Sequence, residues 1–346
     1  MKLAVVGTGL IGASIGLAAR ARLGATVVGV DPAPEAAVET GAIDRAAPLD
    51  EALAGADAVF VATPVGVLEE VVRTVLAAAP PDCVVTDTGS VKRAVVAAAG
   101  DERFVGGHPL AGAEGGGARA AREDLFDGAT WYLTPTRGTS GVQLERLHRL
   151  LTTLGARPAV IDAEAHDRIM AAVSHLPHVL ANVLVARAAA ALGDDRAGGW
   201  AHVGPSFRDA TRVAGANPEL WADIYAANAD ALVAELDGTI AALHAARDEI
   251  AGGRSLLGHQ LDAAADREAL HTAAAGGELA ELRVVVPNRP GVVADIALTL
   301  SREGINLADM SLAPSPDMAT GALALWVGRD CEDRARGLLA DLGLTA

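Results

Sequence analysis

Short apolar runs alternate with longer alanine- and leucine-rich stretches over residues 1–162. The runs are rich in β-branched residues and read KLAVVG, ATVVGVD, DAVFVATP, CVVTDTGS, RFVGGHPL, TWYLTP and RPAVID. Continuous apolar runs of this length are typical of parallel strands buried on both faces, and the stretches between them have helical spacing. The pattern predicts a Rossmann-type, doubly wound α/β sheet in this first domain.

The strand pattern stops at residue 163 and returns at residue 279. Residues 163–275 are dominated by Ala, Leu and Val at helical spacing, which predicts an all-helical second domain. Residues 279–346 follow a β-α-β-β-α order, which predicts a small ferredoxin-like α+β domain. The sequence ends at LGLTA, after the last predicted helix. We expect that sheet to be either shortened or completed by a partner chain.

Composition narrows the class of protein. A chain of 346 residues is long enough for two or three domains, and its apolar runs break before the roughly 20 residues of a membrane helix. These short runs predict a soluble protein, and a first strand directly after Met1, without the pattern of a secretory signal, favours the cytoplasm. The charge of −16 disfavours nucleic acid and anionic membranes as partners. The two cysteines, Cys83 and Cys331, suggest neither a disulfide framework nor a metal cluster.

The segment GTGLIG follows the first predicted strand and opens a helix, as a dinucleotide-binding turn does. Its residues Gly7, Gly9, Leu10, Ile11 and Gly12 are the predicted cofactor-binding residues. The next strand ends at Asp31, where a carboxylate accepts hydrogen bonds from the adenosine ribose and repels a 2′-phosphate. NAD is therefore favoured over NADP. The alternative is a structural glycine turn with a surface aspartate.

Three further polar segments follow predicted strands, at the sheet edge where ligands bind in this fold. Thr63 and Pro64 are expected near the nicotinamide, and Ser90 in DTGSVK near the reacting atoms, unless these residues only cap helices. His108, in GGHPLAG, can accept a proton as a hydride leaves, and its flanking glycines would leave room for a bulky substrate. A histidine that only stabilises the loop is the alternative.

Two clusters in the helical domain carry candidate substrate contacts. In SHLPH, Pro177 bends the helix beside His175 and His178, which lie on one face. No third ligand of suitable spacing supports a metal site, and satisfied core histidines are the alternative. In SFRDATR, Arg208 and Arg212 lie one turn apart and suit a dicarboxylate, unless neighbouring acids neutralise them.

Taken together, GLIGAS, GVD, DTGSVK, GGHPLAG, SHLPH and FRDATR resemble, in order and distance, the prephenate dehydrogenase family of tyrosine biosynthesis. The resemblance covers residues 1–275, and the last four motifs together are highly specific. The segment VPNRPGVVADIALTLSREGINLADMSL resembles an ACT domain, a ferredoxin-like module that often binds amino acids.

The resemblance implies NAD-dependent oxidation of prephenate at C4, with loss of CO₂ to give 4-hydroxyphenylpyruvate. By its motif, His108 is the base or the hydrogen-bond acceptor for the substrate hydroxyl, and Ser90 orients His108 or that hydroxyl. Arg212 binds the ring carboxylate and Arg208 lies near the side-chain carboxylate. His178 is the preferred substrate-side histidine, with His175 a structural second choice.

Other functions remain open at this stage. Many relatives have a lysine or serine pair near the position where this chain has Glu114 and three glycines, so one substrate contact is expected to be missing or to be supplied by Arg119 or Arg122. An acid such as Glu114 near the pocket suits an ammonium group, so arogenate is the main alternative substrate. β-Hydroxyacid or imine reductases share the glycine turn and a helical domain, but they would not need these motifs together. A non-catalytic amino-acid sensor is a third class.

We also expect a homodimer through the helical domain and tyrosine as an effector at the NRPG turn, Asn288–Gly291.

Overall fold

The computed structural model describes residues 1–112, 115–192, 204–273, 279–315 and 319–344. The chain divides into two compact units. One combines Met1–His166 with Gly276–Ala346, and the other is Asp167–Ala275.

The first unit is built on an eight-stranded sheet of order β3-β2-β1-β4-β5-β6-β7-β8. Neighbouring strands are parallel except β6 and β7. The order 3-2-1-4-5-6 is that of a Rossmann domain, which confirms the predicted fold class. The seven predicted strands form, and a two-residue strand, β3, is added. The strands are β1 Lys2–Val6, β2 Thr26–Val30, β3 Arg45–Ala46, β4 Ala58–Val61, β5 Val84–Asp87, β6 Phe104–Pro109, β7 Thr130–Thr134 and β8 Arg157–Val160.

Helices connect these strands and cover the sheet. Three buried aromatic side chains pack together in the core. Trp131 of β7 meets Phe60 of β4 edge to face and Phe126 at a tilted angle. Burial of such rings contributes several kcal/mol by the usual ~25 cal/mol per Å². The helices are α1 Leu10–Leu23, α2 Glu35–Glu39, α3 Leu49–Leu53, α4 Val65–Ala78, α5 Arg93–Ala99 and α6 Gly141–Thr153, with a 3₁₀ turn at Ala118–Ala120.

The all-helical second unit was also predicted correctly. Its helices are α7 Ala163–Met170, which begins in the first unit, a π-helical turn Ala171–His175, α8 Leu176–Leu192, α9 Pro205–Thr211, α10 Pro218–Ala227, α11 Ala229–Ala251 and α12 Leu257–Ala273. The continuous helix Ala163–Ala191 is long and apolar enough to cross a membrane by length and composition, although such a test is also met by helices of soluble proteins. The expectation that every apolar run is too short to cross a membrane is wrong for this helix, because the helix continues through Pro177.

The C-terminal segment forms the predicted β-α-β-β-α order. It comprises β9 Leu279–Pro287, α13 Val292–Arg302, β10 Leu307–Pro314, β11 Thr320–Gly328, a 3₁₀ turn at Arg329–Cys331, and α14 Glu332–Asp341. Among the described residues its antiparallel sheet has the order β10-β11-β9. This ferredoxin-like domain packs against α6 and β8 of the Rossmann domain. At that contact Gly291, with φ +85°, donates its amide to the carbonyl of Thr139 at 3.0 Å.

Candidate active site

The glycine turn between β1 and α1 has the backbone that a dinucleotide requires. Gly7 has φ +93°, and a Cβ there would lie 2.4 Å from the carbonyl oxygen of Ala62. A Cβ on Gly12 would lie 1.9 Å from the carbonyl oxygen of Gly7, so only glycine lets α1 pack this closely on the turn. Around Gly9 nothing lies within 4 Å of the Cβ position. This opening at the start of α1, whose first residues are Leu10 and Ile11, fits a pyrophosphate on the helix N-terminus.

Asp31 lies at the end of β2 beside this turn. Its two carboxylate oxygens accept hydrogen bonds from the amides of Thr8, at 2.7 Å, and Ala33, at 2.9 Å. The half-buried carboxylate is therefore fixed in position before any ligand binds. Among the described residues, the hydroxyls of Thr8 and Thr63 are buried without a hydrogen-bond partner. Buried polar groups are rarely left unpaired, so these two hydroxyls also fit a polar ligand at this edge.

Pro64 and Ser90 lie where the sequence placed them, in the loops after β4 and β5. Pro64 is the N-cap residue of α4, so part of its role is structural. Ser90 is half-buried in the turn between β5 and α5. Both residues therefore lie at the carboxyl edge of the parallel strands, the edge at which this fold binds ligands.

A buried ion pair fixes the strand that carries His108. The ammonium of Lys92 binds the carboxylate of Asp87, and neither side chain is exposed. Lys92 Nζ also donates to the carbonyl of Gly107 at 2.8 Å, and Asp87 Oδ1 accepts from the Gly107 amide at 3.0 Å. Both backbone groups of Gly107 are thus held by charged partners, which are the stronger kind of hydrogen bond. Asp87 and Lys92, the first and last residues of DTGSVK, therefore hold β6 in place at Gly107, next to His108.

The glycine pair before His108 does not leave room for a substrate, contrary to the sequence interpretation. A Cβ on Gly106 would lie 2.3 Å from the Thr134 hydroxyl, and one on Gly107 would lie 2.6 Å from the Asp87 carbonyl oxygen. The space beside these glycines is filled by the protein's own sheet neighbours. Gly112, farther along the loop, has nothing within 4 Å of its Cβ position.

His108 lies near the carboxyl end of β6, opposite Tyr132 of β7 in the antiparallel register. Its Nδ1 is 2.9 Å from Nε2 of His166, which is on α7. His166 is fully buried and meets both His108 and Tyr132 edge to face. Sequence reasoning missed His166, because one histidine in an ordinary helical stretch gives no local signal.

The π-helical turn before Pro177 shapes the histidine cluster of the helical unit. Its Ser174 carbonyl accepts a hydrogen bond from Nδ1 of His178 at 3.0 Å. The His178 ring stacks on Trp221 at a centroid distance of 3.5 Å, and burial lowers the pKa of His178 below its usual range. The Ser174 bond raises this pKa and the charge of Arg212 lowers it. His178 is thus a neutral ring near pH 7, with Nε2 as its acceptor.

His175 has a different environment from His178. It is buried, with Nδ1 3.2 Å from the amide nitrogen of Asn228. The same amide nitrogen donates to the carbonyl of Asp167 at 2.7 Å. His175 therefore ties α11 to the start of the long helix, as a core histidine does.

Both predicted arginines are exposed on one short element of the helical unit. Arg208 lies on α9 and Arg212 is the residue that ends this helix. The following loop is held by a hydrogen bond from the Gly215 amide to the Asn182 side chain at 3.0 Å. Within the described ranges, Arg212 has no ion pair with an acid. Arg212 is close enough for its charge to act on His178, and its exposed guanidinium is open to an anion.

The sheet order, the glycine turn and the fixed carboxylate of Asp31 define an NAD-dependent dehydrogenase. Residues 15–160 match the model of the prephenate dehydrogenase nucleotide-binding domain, residues 162–256 that of the prephenate dehydrogenase dimerization domain, and residues 280–324 that of the ACT domain. The prephenate dehydrogenase of Bacillus subtilis is 32% identical over 356 residues, which cover 96% of this chain and 93% of that protein. The chain therefore belongs to the prephenate dehydrogenase family.

Two solved structures resemble this fold. Prephenate dehydrogenase from A. aeolicus, in complex with hydroxyphenyl propionate and NAD⁺, has a TM-score of 0.73 and 28% identity. That match covers 78% of this chain and 98% of the other. Arogenate dehydrogenase from Synechocystis has a TM-score of 0.68 and 32% identity, covering 78% of this chain and all of the other. The resemblance inferred from the sequence motifs is confirmed.

Proposed function

We propose that this chain catalyses the NAD⁺-dependent oxidative decarboxylation of prephenate to 4-hydroxyphenylpyruvate. The observation that carries the proposal is the placement of His108. The backbone of the preceding residue, Gly107, is held by the charged pair of Lys92 and Asp87, and this places His108 at the carboxyl end of β6, on the same sheet edge as the glycine turn and Asp31. The family match and the relatives named prephenate dehydrogenase support prephenate as the substrate.

Bound NAD⁺ supplies the hydride acceptor, and the protein supplies a proton acceptor and charge complementarity. His108 takes the proton of the C4 hydroxyl as the hydride leaves C4. Loss of CO₂ then makes the ring aromatic, and His108 returns its proton to the phenolic oxygen. Substrate and NAD⁺ thus give product, CO₂ and NADH with no net proton, and His108 ends the cycle neutral.

Residues of the helical unit bind the anionic groups of the substrate in this proposal. Arg212, exposed and without an ion pair among the described residues, binds the ring carboxylate. Arg208 assists at the side-chain carboxylate. His178, neutral and stacked on Trp221, offers Nε2 as an acceptor. Ser90 orients the C4 hydroxyl or His108.

Arogenate is the second candidate substrate, because the Synechocystis arogenate dehydrogenase is 32% identical over 78% of this chain. Glu114, which the sequence analysis related to an ammonium group, lies outside the described residues. The test follows NADH absorbance with each substrate and with NAD⁺ or NADP⁺ under matched conditions. Turnover of prephenate with NAD⁺ is expected. Turnover of arogenate alone would replace the substrate assignment, and no turnover of either would overturn the proposal.

We also propose that the protein acts in the cytoplasm as a homodimer formed through its helical unit. The matched dimerization domain supports this assembly. So do the many apolar side chains that the helical unit leaves exposed, which include Val173, Val183, Val233, Ile240, Leu243 and Ile250. Light scattering at micromolar concentration should give the mass of two chains. A monomer would contradict the assembly.

Tyrosine is the proposed effector of the ACT domain. The NRPG turn lies beside a cavity of about 180 Å³, whose lining includes Glu102, Asn288 and Arg289. An acid, an amide and a guanidinium suit the two charged ends of an amino acid. Saturating tyrosine should change the rate or the melting temperature. If both stay the same, the effector assignment is wrong.

A further inference from the structure

The contact between His108 and His166 joins two imidazole rings, either of which can donate. The two ring nitrogens are 2.9 Å apart, so one must donate and the other accept. A neutral imidazole has one N–H and one acceptor nitrogen. If His108 takes a proton at Nε2, its own proton must be on Nδ1, and Nε2 of His166 must be the acceptor.

We propose that His166 is the positioning residue that sets the tautomer of His108. Its buried Nε2 accepts the Nδ1–H of His108 and leaves Nε2 of His108 as the base that meets the substrate hydroxyl. This assignment rests on the proposed function for the role of His108 as the base and for the identity of the substrate. The tautomer itself is a property of the protein.

The surroundings of His166 hold its ring in place for this role. It lies in the first turn of α7, where Asp162 accepts the amides of Ala165, through Oδ1 at 2.8 Å, and of His166, through its carbonyl at 2.9 Å. The ring is fully buried and packs edge to face on Tyr132 at a centroid distance of 5.5 Å. An acceptor that is fixed before the substrate arrives costs no reorganisation during proton transfer.

The acceptor also matters after the proton has moved. Once protonated, His108 has an N–H on both ring nitrogens, and a buried N–H without an acceptor disfavours the charged form. His166 provides that acceptor without carrying a negative charge. Removal of the acceptor should therefore slow proton transfer and make His108 a weaker base.

Two variants separate this role from simple packing. His166→Phe keeps an aromatic ring against Tyr132 but removes the acceptor, whereas His166→Gln loses the ring but retains an acceptor at about the reach of Nε2. His166→Phe should lower kcat by ~10-fold or more and move the acid limb of the kcat profile to lower pH. KM and NAD⁺ affinity should change little. His166→Gln should recover most of the rate.

A spectroscopic measurement tests the tautomer without any substrate. In the full chain with ¹⁵N-labelled histidine, the ¹⁵N shifts of His108 should show Nδ1 protonated at neutral pH, with a coupling across the hydrogen bond to Nε2 of His166. The coupling should vanish in His166→Phe. An Nε2-protonated His108 in the wild type, or equal rates for His166→Phe and wild type, would overturn the inference. If neither substrate is turned over, the proposed function fails, and the ¹⁵N result still decides the role of His166.

Discussion

Lys92 and Asp87 form an ion pair with no solvent exposure on either side chain, and the pair holds the amide and the carbonyl of Gly107. The position of His108 therefore depends on two buried charges that hold the residue before it. A buried pair is strongly destabilising when only one partner is removed, since the other charge stays buried and unpaired.

Replacing Lys92 by Met tests this dependence. Lys92→Met should lower the free energy of unfolding by about 3–5 kcal/mol, because Asp87 is left as an unpaired buried charge. Urea unfolding followed by circular dichroism gives the value. Arg119→Met is the matched control, since Arg119 and Glu39 form an exposed pair at 2.6 Å whose loss should cost at most about 1 kcal/mol. Equal losses in the two variants would show that the buried pair has no special role.

His148 gives the protein a pH-dependent stability. It is buried on α6, with Nδ1 3.6 Å from Oδ1 of Asp309 on β10. Burial lowers its pKa below the usual range, and Asp309 and the Leu307 backbone oppose that shift less strongly. The unfolded chain therefore binds a proton at His148 more readily. Its contribution to stability is complete above the unfolded pKa, about 6.5, and is lost as pH falls towards the folded pKa.

The test compares the unfolding free energy of wild type and His148→Phe between pH 7.5 and pH 5, values chosen to bracket a histidine pKa of about 6.5. The wild type should lose more stability than the variant on acidification. The comparison cancels the contribution of buried Glu145, whose pKa burial raises. His244→Phe, at an exposed position, should keep the wild-type slope. The same slope in His148→Phe and wild type would contradict the assignment.

The sequence was sufficient for the fold class, because local patterns encode it. The apolar runs and the GTGLIG turn predict the Rossmann domain, and the β-α-β-β-α order predicts the ACT domain. The two-residue strand β3 was missed because Arg45 and Ala46 show no apolar run. The packing of Gly291 against the Rossmann domain was also missed, since contacts between domain surfaces leave no periodic signal.

For the site, motifs supplied candidate residues but not their partners. The roles of Asp87 and Lys92 appear only when β5 and β6 are adjacent, because their common partner, Gly107, is distant in sequence. His175 and His178 look equivalent in SHLPH, yet one is bonded in the core by Asn228 and the other stacks on Trp221. The tertiary environment distinguishes them, and the sequence spacing does not.

Asp31 should determine which dinucleotide the enzyme uses. Asp31→Asn removes the negative charge that repels a 2′-phosphate while keeping an acceptor for the Thr8 amide. The ratio of kcat/KM for NAD⁺ to that for NADP⁺ should fall about 10-fold or more, which corresponds to about 1.4 kcal/mol. Glu35→Gln, a nearby exposed acid at the start of α2, should leave the ratio unchanged. An unchanged ratio in Asp31→Asn would remove Asp31 from the cofactor site.

Arg212 should act in substrate binding rather than in the chemical step. Arg212→Ala is expected to raise KM for the substrate about 10-fold or more, because a bidentate contact to a carboxylate is lost. Initial rates over a range of substrate concentrations separate KM from kcat. Arg187→Ala, at an exposed position on α8, should leave both parameters unchanged. An unchanged KM in Arg212→Ala would exclude it from the substrate site.

The turnover of His108→Asn with prephenate and NAD⁺ tests the central assignment most directly. The variant should bind NAD⁺ with wild-type affinity, measured by titration, and its kcat should be about 10²-fold or more below wild type, because the proton acceptor is gone. Wild-type turnover in this variant would contradict the assignment of His108 as the base, whatever the substrate.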